Sequence, residues 1–288
     1  MHYLPEVAII NNLEFDHADI FRDLESIQTS FSHLIRLVPR NGLVLANGDD
    51  PNLAPLLEFK HCPIKRFGFG EENHLRAFKL RLGATATEFE TPNHKYHLNL
   101  IGELNVRNAL GVIACARHCG LTNAQIQAAF NTFKGVKRRL EVRGVAGGIV
   151  VIDDFGHHPT AIRETLKALR LKYPTEKLWA VFEPRTNTTR RNVFQRELAD
   201  AFLGADAVVI AQVARLELLA PHERLDPERL MADLQGAGKT AAYLPDVDSI
   251  IEHLAGNVQG GDVVCVFSNG GFGGLHQKLL DRLAPRRA

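Results

Sequence analysis

Short apolar runs and longer stretches of helical spacing alternate along the chain, most regularly in its second half. Val7–Ile10 is a compact apolar run that predicts a buried strand almost at the first residue. Polar NNLEFDHAD follows, and then Ile20, Leu24, Ile27, Phe31 and Leu34 recur at the spacing of a helix that buries one face. GLVLANGDDP reads as a second short buried strand ending in turn formers. From Ile64 the character changes. AFKLRLGATATEFETPNHKYHLNLIG alternates and breaks at TPNH, which predicts an antiparallel hairpin. NVRNALGVIACARHCG is rich in helix formers and ends on Gly120, a residue suited to the position after a helix. TNAQIQAAFNTF offers Thr122 or Asn123 as an N-cap for another helix.

The second half is rhythmic. Strand-like runs at Ile149–Ile152, Leu178–Phe182, Ala207–Ala211, Ala241–Leu244 and Val263–Phe267 alternate with helical patterns. Those patterns cover Ala161–Leu171, Val193–Phe202, Glu228–Leu234, Ile250–Leu254 and Gly274–Leu283. Such alternation predicts an α/β fold with a parallel, doubly wound sheet. Ligands of these sheets collect at the carboxyl ends of the strands. That places Asp153, Asp154, Glu183–Arg185, Gln212 and Ser268–Gly271 along one rim. Between the halves, KGVKRRLEVRG is basic and lacks apolar periodicity, so a domain boundary is expected near Arg143, with domains 1–142 and 143–288.

Composition changes this picture little. The chain has 288 residues, 45% hydrophobic and 23% charged, enough for two ordinary globular domains. A formal net charge of +1 argues against nucleic-acid binding driven by bulk charge and leaves room only for local basic patches. Four cysteines form no CxxC; Cys115 and Cys119, one helical turn apart, read better as small apolar residues than as metal ligands. Free thiols fit a reducing, cytoplasmic setting. With no signal peptide and no bilayer-length apolar run, neither a membrane nor a nucleic-acid partner is expected.

Several short stretches could carry chemistry. VIDDFGHHPTAI packs two aspartates and two histidines where a strand hands over to a helix, and such groups are costly to bury without partners. Asp16–His17 could hold a divalent cation or phosphate, or cap the next helix. Asn105 and Asn108 open a helix one turn apart, either as caps or as carboxamides reading a base edge. Arg138 and Arg139 at the boundary could grip phosphates or form a solvated face. Arg185, Arg190 and Arg191 follow a predicted strand and suit an anionic substrate. Glycine-rich FSNGGFGG is no dinucleotide fingerprint and reads as a carboxylate nest or a tight turn.

In this order NNLEFDHADIF, GELNVRNAL, FKGVKRRLEVRG, DDFGHHPTAI, EPRTNT and SNGGFGG resemble the motifs of the Mur ligase family. These are ATP-dependent enzymes that join amino acids or peptides to the nucleotide precursor of the cell wall. The resemblance covers essentially the whole chain and is nearest to the branch that adds the murein tripeptide L-alanyl-γ-D-glutamyl-meso-diaminopimelate to UDP-N-acetylmuramate in peptidoglycan recycling. It implies an incomplete central ATPase domain followed by a complete Rossmann-like C-terminal domain. The UDP-binding domain, the GxxGKT/S phosphate loop and a magnesium-binding glutamate would precede Met1, so the missing N-terminal portion is itself an expected partner. The chain alone is then expected to be inactive.

The implied cofactors are ATP and Mg2+, and the implied route is an acyl phosphate attacked by the peptide amine. By resemblance His17 is a magnesium ligand, and Asn105 and Asn108 flank the adenine. Arg139 and Asp154 contact the ATP phosphate and ribose region; His157, with Arg139, sits at the reacting centre. Arg185, Asn187, Thr188 and Ser268 face the incoming substrate. Three departures stand out. No lysine lies between His17 and Arg40, Leu104 replaces a usual histidine before the first asparagine, and Phe155 replaces the tyrosine of alanine-adding relatives. The alternatives are an alanine-adding ligase and a non-catalytic nucleotide- or peptide-binding fragment. A metal-dependent phosphohydrolase is disfavoured because the Asp/His clusters fall in separate predicted domains.

Overall fold

A computed structural model describes residues 3–58 and 61–285. The chain divides by packing into two compact units, Met1–Lys134 and Gly135–Ala288. The first contains β1 (Val7–Ile10), α1 (Leu24–Leu37), β2 (Leu43–Asn47), β3 (Ile64–Gly68), β4 (Leu75–Arg76), β5 (Phe78–Leu82), β6 (Thr87–Thr91), β7 (His94–Leu98), α2 (Glu103–His118) and α3 (Asn123–Thr132). Strands β1-β2-β3-β4 form a parallel sheet in that order, and β5-β6-β7 an antiparallel one.

All five residues of β2 are buried because successive side chains enter different cores. Leu43 and Leu45 pack with Val106, Leu110 and Ile113 of α2 and with Phe89 and Tyr96 of the antiparallel sheet. Val44 and Ala46 pack with Ile27 and Ile35 of α1. Gly111 sets how closely α2 approaches: a β-carbon there would stand 3.1 Å from Ile9 Cγ2 and 3.3 Å from Phe67 Cζ.

Two sequence expectations are revised in this unit. Helix α1 starts at Leu24, because Asp23 accepts a hydrogen bond from the Ser26 amide and closes a capping box. Ile20 therefore lies outside the helix, 71% exposed. The expected hairpin is a three-stranded meander. TPNH turns β6 into β7 as read, while residues 83–86 turn β5 into β6.

The second unit contains β8 (Glu141–Ala146), β9 (Ile149–Asp154), α4 (Pro159–Lys172), β10 (Leu178–Phe182), α5 (Gln195–Phe202), β11 (Ala207–Ala211), α6 (Pro227–Gly236), β12 (Thr240–Leu244), α7 (Val247–Asn257), β13 (Val263–Phe267) and α8 (Leu275–Leu283). Its six-stranded sheet runs β12-β11-β10-β13-β9-β8 and is parallel except for β8. Strands β10, β11 and β13 are buried at every position, as a sheet covered on both faces requires. On one face Val151, Trp179, Val181 and Val266 pack against Ile250 and Leu254 of α7 and Leu275 and Leu279 of α8. On the other, Phe202 of α5 meets Phe182 and Phe267 at ring separations of 5.5 and 6.4 Å. This is the doubly wound architecture read from the alternating pattern.

The expected boundary between residues 142 and 143 falls inside β8, and the units divide at Lys134/Gly135 instead. A register shift between Val142 and Gly144 breaks the two-residue period of this edge strand, which hid it in the sequence. The strand order sets β9, β13 and β10 side by side, so their carboxyl ends form one continuous rim.

Candidate functional site

The rim of the second unit begins with Asp153 and Asp154, the last residues of β9, only 3% and 2% exposed. Pleating sends neighbouring side chains to opposite faces, and the two carboxylates have different partners. Asp153 receives Arg138, whose Nε lies 3.4 and 3.3 Å from its two oxygens, and Nε2 of His276 lies 3.4 Å from Oδ1. Asp154 accepts the Leu140 amide on Oδ2 at 2.9 Å and the Gly156 amide on Oδ1 at 2.8 Å. Burial raises the Asp154 pKa above the ordinary carboxylate value, while the two amides and Arg139 pull it back.

Arg138 joins several parts of the rim. Its amide donates to the Glu141 carboxylate at 2.7 Å, and its carbonyl accepts the Phe155 amide at 2.7 Å. Its guanidinium donates to the carbonyls of Ser268 and Gly270 at 2.5 and 2.8 Å. Arg138 and Leu140 both adopt left-handed backbone, φ 59° and 51°, a conformation that non-glycine residues hold only when surroundings compensate. Arg139 is exposed and shares the Phe155 ring with Arg138, at 5.4 and 5.1 Å from the ring centre.

His157 is half-buried, with Nδ1 3.1 Å from the Phe155 carbonyl and its ring edge-on to Phe155. His158 is the N-cap of α4, accepting from the Thr160 amide. The four acids and imidazoles at this strand end thus take distinct positions: one ion pair, one backbone staple, one cap, and one imidazole beside the Phe155–arginine stack.

At the ends of β10 and β13, Ser268 is fully buried and donates to the Glu183 carboxylate. The Gly270 amide donates back to Ser268 Oγ at 2.9 Å. Arg185 is exposed and, among the described residues, has no hydrogen-bond or ion-pair partner. Asn187 is exposed, its side-chain oxygen accepting from Arg190; Thr188 is 2% exposed within the same loop. The sequence reading gave Arg138 only a phosphate-gripping or solvated role, not this structural one, and gave His276 no role. The visible signal for Arg138 was only a tandem arginine before Glu141.

In the first unit, His17 sits in the loop after β1 with φ 54° and a side chain 66% exposed, its Nε2 3.9 Å from Asp16 Oδ2. The turn after β2 clamps this loop. Asp50 Oδ2 accepts the Leu13 amide at 2.7 Å, and Asn52 Nδ2 donates to the Leu13 carbonyl at 2.8 Å. Neither asparagine of α2 is its N-cap, which is Gly102. Asn105 donates to the Ile101 carbonyl at 2.8 Å, and the exposed Asn108 accepts from Asn11 Nδ2 at 2.6 Å. Asn11 Oδ1 is buried with no hydrogen-bond partner, so this carboxamide pair has acceptor capacity left over.

Among the described residues no three His, Cys, Asp or Glu side chains converge as a metal cluster. Magnesium commonly keeps waters and substrate phosphates and takes only one or two protein groups. His17 fits such a shell as a single ligand, not as part of a closed cage.

Comparison with known proteins matches both units. The family model described as "Mur ligase middle domain" covers residues 2–116, and "Mur ligase, glutamate ligase domain" covers residues 138–270. The chain belongs to the Mur ligase family. In Escherichia coli (strain K12), UDP-N-acetylmuramate--L-alanyl-gamma-D-glutamyl-meso-2,6-diaminoheptandioate ligase is 40% identical over 99% of this chain and 61% of that protein. A UDP-N-acetylmuramate--L-alanine ligase of Acetivibrio thermocellus is 34% identical over 94% and 58%. The crystal structure of a murein peptide ligase from Psychrobacter arcticus 273-4 superposes with a TM-score of 0.71 at 32% identity, over 100% of this chain and 59% of that one. The chain thus spans about three fifths of the length of the relatives it matches. The Mur glutamate-ligase match opens at Arg138, so the arginine pair and β8 belong to the same domain as the rim they serve. Among the described residues no helix is long and apolar enough to cross a membrane.

Proposed function

We propose that this chain forms part of an ATP-dependent amide ligase that joins L-alanyl-γ-D-glutamyl-meso-diaminopimelate to UDP-N-acetylmuramate in the cytoplasm. The observation that carries the reading is Arg185: an exposed cation with no hydrogen-bond or ion-pair partner among the described residues, on the same rim as buried Ser268 and half-buried Glu183, where α/β sheets take ligands. The 40% identity to the Escherichia coli tripeptide ligase supports the choice of amine.

ATP with Mg2+ supplies the phosphoryl group that activates the muramyl carboxylate. His17 is the proposed magnesium ligand. Asn105 and Asn108 are the proposed adenine contacts, and Asn11 joins them through its bond to Asn108. Arg139, held over Phe155, offers its guanidinium to phosphate oxygens. Asp154 fixes the backbone on both sides of that stack through residues 140 and 156, and its remaining lone pairs can meet the ribose. His157 is placed beside the same ring, where an imidazole can hold or accept a proton near the reacting carbonyl. Arg185, Asn187, Thr188 and Ser268 receive the peptide. An arginine fork binds a carboxylate bidentately, and the tripeptide carries several carboxylates where alanine carries one.

Competition between the two amines tests this in the intact ligase. Tripeptide product is expected to dominate over L-alanyl product. A charged hydrogen bond contributes about 1.5–3 kcal/mol, so Arg185→Ala should raise the KM for tripeptide roughly ten- to a hundredfold. Dominant L-alanyl product would replace this reading with the alanine-adding one.

A further inference from the structure

Gly270 poses a question that its backbone does not answer. Its φ lies outside the left-handed region, so its conformation does not require glycine. What occupies the place of a side chain is Arg185. A β-carbon on Gly270 would overlap Arg185 Nη1 and stand 2.8 Å from Cζ and 3.1 Å from Cδ. The guanidinium therefore lies directly on the bare backbone of the turn after β13.

The turn itself cannot easily yield. Its Ser268 and Gly270 carbonyls are held by Arg138, which is anchored on buried Asp153. The Gly270 amide is held by Ser268 Oγ, and Ser268 is tied in turn to Glu183. Arg185, by contrast, is exposed and has no hydrogen bond or ion pair among the described residues. When a rigid backbone and a flexible side chain compete for the same volume, the side chain moves.

From this we infer that Gly270 is a positioning residue for the substrate. It is the seat that sets the direction of the Arg185 guanidinium and so selects where an anionic group of the peptide can bind. The inference rests on the proposed role of Arg185 as a substrate contact. Adjacent Gly271 supplies an internal control, because a β-carbon there meets nothing within 4 Å.

The experiment compares Gly270→Ala, Gly271→Ala, Arg185→Ala and the Gly270→Ala/Arg185→Ala double variant in the intact ligase. It reads KM for the tripeptide, KM for ATP, and a crystal structure of Gly270→Ala. Gly270→Ala should displace the guanidinium, leave the turn in place, and raise the tripeptide KM about as much as Arg185→Ala, roughly ten- to a hundredfold. The KM for ATP should not move, the double variant should be no worse than Arg185→Ala alone, and Gly271→Ala should match the parent. Where Arg185→Ala raises the tripeptide KM, an unchanged KM in Gly270→Ala or additive effects in the double variant would overturn the seat; a shifted turn under a stationary Arg185 would overturn it in every case. If Arg185→Ala left the tripeptide KM unchanged, the substrate role of Arg185 would fall. A displaced guanidinium in Gly270→Ala would still uphold the steric seat.

Discussion

The candidate residues of the two units are built into their folds differently. In the second unit Arg138 and Asp154 are also structural members. Arg138 connects Asp153 to two carbonyls of the turn after β13, and Asp154 staples residues 140 and 156. In the first unit His17 projects from a loop, 66% exposed, and Asn108 lies exposed on α2. There the positioning is done by other residues, Asp50 and Asn52, acting on the backbone at Leu13. A site made of structural members is held accurately but cannot change without loss of stability. A site carried on a clamped loop separates the two. Substitutions of Arg138 or Asp154 should therefore cost stability, and substitutions of His17 or Asn108 mainly ligand binding.

The strongest test is Arg138→Met, which keeps the apolar stem and removes the charge. It leaves the carboxylate of Asp153, 5% exposed as a side chain, without its nearer arginine, Arg143 remaining 4.0 Å away, and frees the Ser268 and Gly270 carbonyls. Breaking such a buried pair costs about 3 kcal/mol. Trp179 is the single tryptophan and lies 1% exposed in β10, so its fluorescence in urea follows the second unit alone. A loss below about 1 kcal/mol would show that the network is not structural, and the contrast between the units would break.

Much of the second unit was legible because its strands are uninterrupted apolar runs. Leu178–Phe182, Ala207–Ala211 and Val263–Phe267 are buried at every position, five-residue apolar runs set between turn formers. Where local signals conflicted, legibility failed. Ile20 matches the helical spacing of α1, yet the Asp23 cap begins the helix after it. In β8 a bulge interrupts the alternation, so a strand lying wholly inside the second unit looked like a linker and drew the expected boundary to residue 143. The candidate site was legible as a set of motifs, but its partnerships were not. Arg138 meets Ser268 across 130 residues, and no spacing rule reaches so far. The seat of Arg185 on Gly270 is also remote in sequence, and a glycine in SNGG reads only as a carboxylate nest or a tight turn.

A smaller effect sharpens the comparison by pH. His276 is 8% exposed in α8 and faces Asp153 of β9, with Arg138, Glu141 and Arg143 also acting on it. Burial lowers its pKa below the ordinary 6.5, assisted by the two arginines and opposed by Asp153 and Glu141. The folded chain then binds fewer protons than the unfolded chain between the lowered value and 6.5, so stability rises with pH across that window. Acidification below about pH 6.5 should destabilise the second unit by Trp179 fluorescence, and His276→Gln should flatten that dependence. Asp154, with its raised pKa, acts in the opposite direction at lower pH, so the difference between variant and parent is the quantity to read. An identical pH profile in His276→Gln would remove His276 from the titrating network.

The smallest structural effect is expected at His17. Its ring is largely exposed, its nearest acid is 3.9 Å away, and its backbone already tolerates φ 54° with a β-carbon present. The amides of Ile20 and Phe21 bond to its carbonyl, not its ring. His17→Ala therefore removes little that holds the first unit, and surface changes of this kind stay within about 0.5 kcal/mol. Thermal unfolding followed by circular dichroism should show no separate loss in this unit. As the proposed single protein nitrogen on magnesium, however, the ring belongs to no group of three His, Cys, Asp or Glu side chains among the described residues that could share its task. In the intact ligase the Mg2+ concentration for half-maximal rate should rise at least tenfold, roughly the least that loss of a metal contact costs, while the KM for tripeptide stays unchanged. A variant that unfolds early but keeps its magnesium dependence would reverse the contrast, making His17 a structural residue and leaving the metal to other groups.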